Sequence, residues 1–162
     1  MKEPPRERPS ARGLHIAIVR ALFNRAVTDG LLEGALAALG EMGAARRDVA
    51  VFDLPGAFEL PLAAAVAARS GRFDAVVALG AVVRGETDHY DHVAREAASG
   101  LAAVSRETGV PVAFGVLTVR REAQARKRSA PGPENKGAEA ARAAVATVLA
   151  LRAIAGRRSR RG

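Results

Sequence analysis

Asp74-Ala75-Val76-Val77-Ala78-Leu79-Gly80-Ala81-Val82-Val83-Arg84-Gly85-Glu86-Thr87-Asp88-His89 is the stretch that decides the fold. Asp74 to Leu79, bounded by Gly71 and Gly80, has the length and the β-branched content of a buried strand. From about Asp88 to Thr108 the period changes. Val93, Ala97, Leu101 and Val104 then recur three or four residues apart, as the inner stripe of a helix requires. A strand that ends at a glycine and hands over to an amphipathic helix is one βα unit.

The same alternation runs outward on both sides. Upstream, His15 to Val19 reads as a strand and Ala26 to Gly40 as a helix with Leu31, Leu32, Ala35, Leu36 and Leu39 on one face. Val49 to Phe52 is a second strand, and Ala57 to Arg69 is its helix, with Pro61 in the first turn, where a missing N–H is tolerated. Downstream, Val112 to Thr118 is a fourth strand. It is followed by a short polar helix (Arg120 to Arg128), a break at Pro131-Gly132-Pro133 and a long Ala-rich helix from Glu134 to Ile154. Four strands alternating with helices predict a single-domain, three-layer α/β/α sandwich on a parallel sheet.

Composition narrows the function classes. Aromatics are only 4% of 162 residues, so the core must be built from Val, Leu, Ile and Ala. The absence of cysteine excludes a disulfide scaffold, a thiolate nucleophile and a thiolate metal site. No apolar run approaches the roughly 20 residues needed to cross a bilayer, which points to a cytoplasmic protein without a membrane partner. The net charge of +8 sits mostly at the ends: residues 1–12 carry four basic and two acidic side chains, and residues 156–162 carry four arginines. The folded domain is therefore placed at 13–155 between a disordered or extended, Pro-rich basic tail (1–12) and a basic C-terminal tail (156–162). A nearly balanced body argues against nucleic-acid readout, although basic tails attract polyanions.

In a parallel sheet, ligands bind outside the carboxyl ends of the strands. The segments leaving those ends carry the function-capable residues: Leu22-Phe23-Asn24, Leu54 to Glu59, Ala81 to Asp91 and Thr118 to Arg128. Phe23 and Phe58 offer faces for a flat ring, and Glu59 offers a fixed acceptor. Gly85 allows close approach to a ligand, and N–H groups at the start of the following helix suit an anion. His89 at that helix start is a candidate proton carrier. His89 and His92 with Asp88 and Asp91 also have metal-ligand spacing, but no third ligand follows at a recognisable distance, so no metal is expected. An arginine of Arg126-Lys127-Arg128 can grip a phosphate as a planar fork.

Phe23-Asn24, Pro55 to Glu59, Gly80 to Asp91, Gly109-Val110-Pro111-Val112 with Phe114-Gly115, and Asn135-Lys136-Gly137 together resemble the lumazine synthase family over residues 13 to 154. The resemblance implies flavodoxin-like strand order 2-1-3-4 and a cofactor-free condensation of a ribitylamino-pyrimidinedione with a four-carbon keto-phosphate. It implies that Phe23 stacks on the ring, that backbone at Ala57, Val82 and Val83 hydrogen-bonds the ring edge, that Glu59 takes ribityl hydroxyls with Asn24 nearby, and that Phe58 and Ala81 belong to the same binding set. Gly85, Glu86, Thr87 and Arg128 would hold the phosphate, with His89 moving protons. Phe114, Arg128 and Lys136 would arrive from a neighbouring subunit, which makes a homopentamer the minimal catalyst; riboflavin synthase is a candidate partner on the same resemblance.

The chain departs from the family pattern at Ala21-Leu22 and at Pro131-Gly132-Pro133-Glu134. The latter linker keeps the short length found in sixty-subunit shells, but two prolines stiffen it, and a free pentamer or a decamer is the alternative. Two rival readings stand beside the enzyme. A non-catalytic flavin- or pterin-binding relative would keep the aromatic residues and lose His89 or Arg128. A flavodoxin-like regulatory module would carry a Ser-, Thr- or Gly-rich loop after strand one, where this chain has Leu22-Phe23-Asn24-Arg25.

Overall fold

The computed structural model describes residues 9–156, so residues 1–8 and 157–162 of the two expected tails lie outside the described part. β1 (Ile16–Ala21), β2 (Val49–Leu54), β3 (Ala75–Val83) and β4 (Val112–Val119) form one parallel sheet in the order β2-β1-β3-β4. The helices are α1 (Arg25–Glu41), α2 (Leu60–Arg69), α3 (His89–Thr108), α4 (Glu122–Ser129) and α5 (Lys136–Ile154). The expected single-domain α/β/α sandwich with order 2-1-3-4 is the architecture found. At the described start of the chain Ala11 is buried, and its N–H bonds the Met42 carbonyl at 2.8 Å.

Both faces of the central strands are apolar because both are covered. Successive residues of a strand point to opposite layers. Ile16, Ile18, Val77 and Leu79 pack with α1 and α5, whereas Ala17, Val19, Val76 and Ala78 pack with α2 and α3. With so few aromatics the layers must approach closely, and small residues make that possible. Gly30 and Gly34 of α1 lie against Ser129 and Asn135, and Gly137 of α5 lies against the Leu31 carbonyl, with no room for a Cβ at any of the three. Asn135 seals this contact. Its Oδ1 accepts the Ala138 N–H at 3.0 Å as the N-cap of α5, and its Nδ2 lies 3.0–3.1 Å from the carbonyls of Gly30, Ser129 and Ala130.

Among the described residues, one charged residue lies inside the sandwich. Arg20, 4% exposed, donates from Nε and Nη2 to the two carboxylate oxygens of Asp53 on β2, at 2.8 and 3.1 Å, and from Nη1 to Asp29 on α1. The planar fork thus ties three elements together. Hydrogen bonding to Arg20 holds the Asp53 carboxyl below its ordinary range against the opposing effect of burial, and the bond to Asp53 raises Arg20 in turn.

Several boundaries differ from the sequence reading: β1 and β2 run two residues further, to Ala21 and Leu54, α4 begins at Glu122 rather than Arg120, and three others have a clear physical reason. β3 does not stop at Leu79: it continues to Val83, and Gly80 lies within it, where a Cβ would come 3.2 Å from Leu60 Cδ1. Ala81-Val82-Val83 prolong the apolar run, and pairing to β4 persists up to Val83 with Val119. Ala57–Glu59 is a 3-10 turn, and α2 begins at Leu60 with Pro61 next to it. The last helix begins at Lys136 rather than Glu134 because Asn135 caps it.

Two outcomes follow for stability. Gly137→Ala should lower unfolding free energy by about 3 kcal/mol, since its methyl meets backbone that cannot move away; a urea midpoint equal to wild type would contradict the close packing. For Asp53 the folded value is depressed, so its contribution is present above the unfolded value, about pH 4, and is lost as pH falls through the lower folded one. The carboxylate is 41% exposed, so screening limits the effect to about 1 kcal/mol or less. Melting curves from about pH 6 down to about pH 2 should show an acid-sensitive increment that Asp53→Asn removes.

Candidate active site at the switch point of the sheet

The chain leaves β1 through α1 towards β2 on one side, and reaches β3 on the other side through α2. The loops after β1 and β3 therefore diverge and leave a crevice between them. An open cleft of about 760 Å³ lies there, walled by Phe23 after β1, Pro55 to Glu59 after β2, and Ala81 to Val93 at the end of β3 and the start of α3.

Each wall is held by backbone bonds. Leu22 N–H to Leu54 O (2.8 Å) and Phe23 N–H to Pro55 O (3.0 Å) carry the β1–β2 ladder into the loops, which fixes Phe23 beside the turn of Phe58. Asn24 adopts a left-handed conformation (φ 59°), a region that asparagine tolerates better than most residues. Its Nδ2 donates to Ala81 O at 3.0 Å, bridging the crevice.

The extra length of β3 gives the cleft its polar edge. Pairing with β1 ends at Arg20 with Leu79, whereas pairing with β4 continues through Val83. Alternate residues of a strand aim their N–H and C=O to the same side. Val76 and Arg84 N–H groups reach β4, at Pro111 O and Val119 O, while Ala81 O faces Asn24. The backbone groups of Val83 therefore face the cleft. Those of Val82 turn to β4, although Val82 is still among the residues that line the cleft.

Phe23 and Phe58 are 71% and 59% exposed, an unusual cost for large apolar rings unless something stacks on them. Glu59 lies across from α3, its carboxylate close to Gly56. Gly85, Thr87 and His89 share the opposite rim, where Thr87 Oγ1 accepts the His89 N–H at 3.4 Å. Asp88 occupies the N-cap position of α3, but its side chain makes no capping bond.

Of the expected site residues, Phe23, Ala57, Phe58, Glu59, Ala81, Val82, Val83, Gly85, Thr87 and His89 line this one cleft, and Asn24 braces it. Glu86 is exposed in the adjoining loop and is not part of the lining. Phe114 and Lys136 meet elsewhere, in a groove between β4 and α5, where Lys136 Nζ lies 2.7 Å from Glu139. Arg128, in the last turn of α4, donates to Gln124 O at 3.1 Å and lines neither opening. Within one chain the expected set is thus split. Tyr90, His92 and Val93 also line the cleft; their spacing from His89 along one helical turn was the available signal.

Among the described residues no group of three or more His, Asp or Glu side chains is placed to hold a metal ion, and no helix is long and apolar enough to cross a membrane. The switch-point cleft gathers exposed aromatic faces, an open strand edge and a helix start at one rim of an α/β sandwich. The model of the 6,7-dimethyl-8-ribityllumazine synthase family matches residues 13–152, and the chain belongs to that family, whose reaction serves riboflavin biosynthesis.

Asn24→Ala should lose about 1–2 kcal/mol through left-handed strain and the lost bridge, and Asn24→Gly less, because glycine removes only the bridge. Both should weaken binding of a flat heterocycle by freeing Phe23. Equal melting curves for the alanine and glycine variants would contradict the strain at this residue.

Proposed function

We propose that the enzyme is a transferase that condenses 5-amino-6-(D-ribitylamino)uracil with 3,4-dihydroxy-2-butanone 4-phosphate to 6,7-dimethyl-8-ribityllumazine, releasing phosphate and water without a cofactor. The observation that carries this reading is one cleft combining two exposed aromatic rings, the open Val83 edge and the Gly85–His89 rim. Phe23 would stack on the pyrimidinedione, Ala57 and Val83 would bond its edge, and Glu59 would take ribityl hydroxyls. Thr87, Gly85 and the neighbouring Glu86 backbone would receive the phosphate at the start of α3. The nucleophilic amine and the leaving phosphate belong to the substrates, so the protein's work is to hold two reactants in place and move protons through His89.

A homo-oligomer completes the site in this reading. Leu62 and Val66 on α2 are 73% and 65% exposed and extend the apolar surface of Phe58. A separate groove along β4, lined by Val110, Pro111, Phe114 and Leu151, is its apolar counterpart. Two different surfaces that meet make a head-to-tail contact, which closes into a ring when the rotation permits. Such a contact would carry Phe114, Lys136 and Arg128 to the next copy's cleft, with the pentamer as the working unit, a sixty-subunit shell as its larger form, and riboflavin synthase as the partner taking the product.

Mixing the two substrates with purified protein should generate the lumazine chromophore, while light scattering reports a particle of at least five 16.8-kDa chains. A monomer, or the absence of product, would contradict the reading. His89→Ala should slow turnover by about 10- to 100-fold, near the low end for a general acid–base group, because orientation survives. Complete loss of turnover with both substrates still bound would overturn that modest role.

A further inference from the structure

We infer that His92 is a second proton-carrying imidazole of the same cleft, able to relieve His89 during the condensation; this rests on the proposed reaction. His92 lines the opening together with His89, Tyr90 and Val93. The two histidines stand three residues apart at the start of α3, which sets their Cβ atoms about 5–6 Å apart on one face. A reacting group or a water lying between them is within reach of both rings.

Neither ring has structural work to do. The His92 N–H belongs to the helix, bonding Asp88 O at 3.4 Å, and the imidazoles of His89 and His92 make no hydrogen bond or ion pair among the described residues. The titratable groups around them are Glu59 from the turn before α2, Tyr90 in the cleft, and Asp88, Asp91, Arg95 and Glu96 on α3 itself. The packed faces of α2 from Leu60 to Ala68, and all of β3 and β4, carry no charge. No hydrogen bond or ion pair among the described residues locks either ring as donor or as acceptor.

The chemistry has work for two such groups. When the primary amine condenses with the ketone, the C=N bond forms and the C–O bond breaks. The two N–H protons leave with that oxygen as water. One imidazole takes a proton from nitrogen while the other, as imidazolium, delivers one to the departing hydroxyl, and the pair returns to its starting charge.

The test compares pH profiles of kcat for wild type, His92→Gln, His89→Gln and the double variant with both substrates. Both side chains are exposed, so unchanged melting curves should accompany each substitution. His92→Gln alone should lower kcat by about 3- to 10-fold with KM within about twofold. The His89→Gln enzyme should keep a pH-dependent limb, and the double variant should lose that limb and about another 10-fold in rate. A double variant matching His89→Gln in rate and profile overturns this inference alone. A wild-type enzyme that forms no product overturns the condensation and this inference together.

Discussion

The unequal reach of two neighbouring strands is the constraint on which the rest of the molecule depends. β3 runs through residues 80–83 beyond the last residue paired with β1, and only β4 accompanies it there. A strand edge without a partner is ordinarily a liability, because its N–H and C=O groups seek another chain. Here the edge lies inside a crevice, one carbonyl is taken by Asn24, and Val83 lines the cleft. A planar heterocycle with donors and acceptors along its rim fits such an edge as a short extra strand would.

That geometry survives only if the layers beneath it do not shift. Close contact between α1 and α5 through Gly30, Gly34 and Gly137, with Asn135 as both cap and bridge, fixes where α4 and α5 leave the sheet. Arg20 does the equivalent at the other edge, clamping β2 and α1 to β1 so that the Phe58 turn keeps its place beside Phe23. The functional loops are short and stand on a rigid frame. The proposed condensation, accelerated largely by holding two substrates together, would require such a frame.

Much of this was legible in the chain itself. The four apolar runs and the three- to four-residue stripes gave the strands, helices and layers, because periodicity reports burial directly. The cleft residues were legible as well, since Phe23, the Phe58-Glu59 turn and the Gly85 to His89 stretch follow strand ends. Gly80 misled because a glycine that ends a strand and a glycine that makes room for Leu60 look alike in sequence. Arg20 went unread because a charged residue in a buried strand depends on partners 9 and 33 residues away, which no local pattern announces. Asn135 and Gly137 stand out in the chain only as part of a family motif, and their packing role shows only with α1 beside them. The side on which Val82 presents its backbone is set by register with β4, which the apolar run alone does not encode.

The separation of Phe114, Lys136 and Arg128 from the cleft within one chain makes the proposed shared site the point most open to direct attack. Co-assembling two damaged forms measures it: one with Phe23→Ala and Phe58→Ala in the cleft, the other with Arg128→Ala and Lys136→Ala in the donated surface. Each alone should be nearly inactive, and mixed oligomers should regain a clear fraction of wild-type turnover, because some intact clefts then face intact donors. Mixed oligomers no more active than the average of the two parents would contradict a site built from adjacent copies.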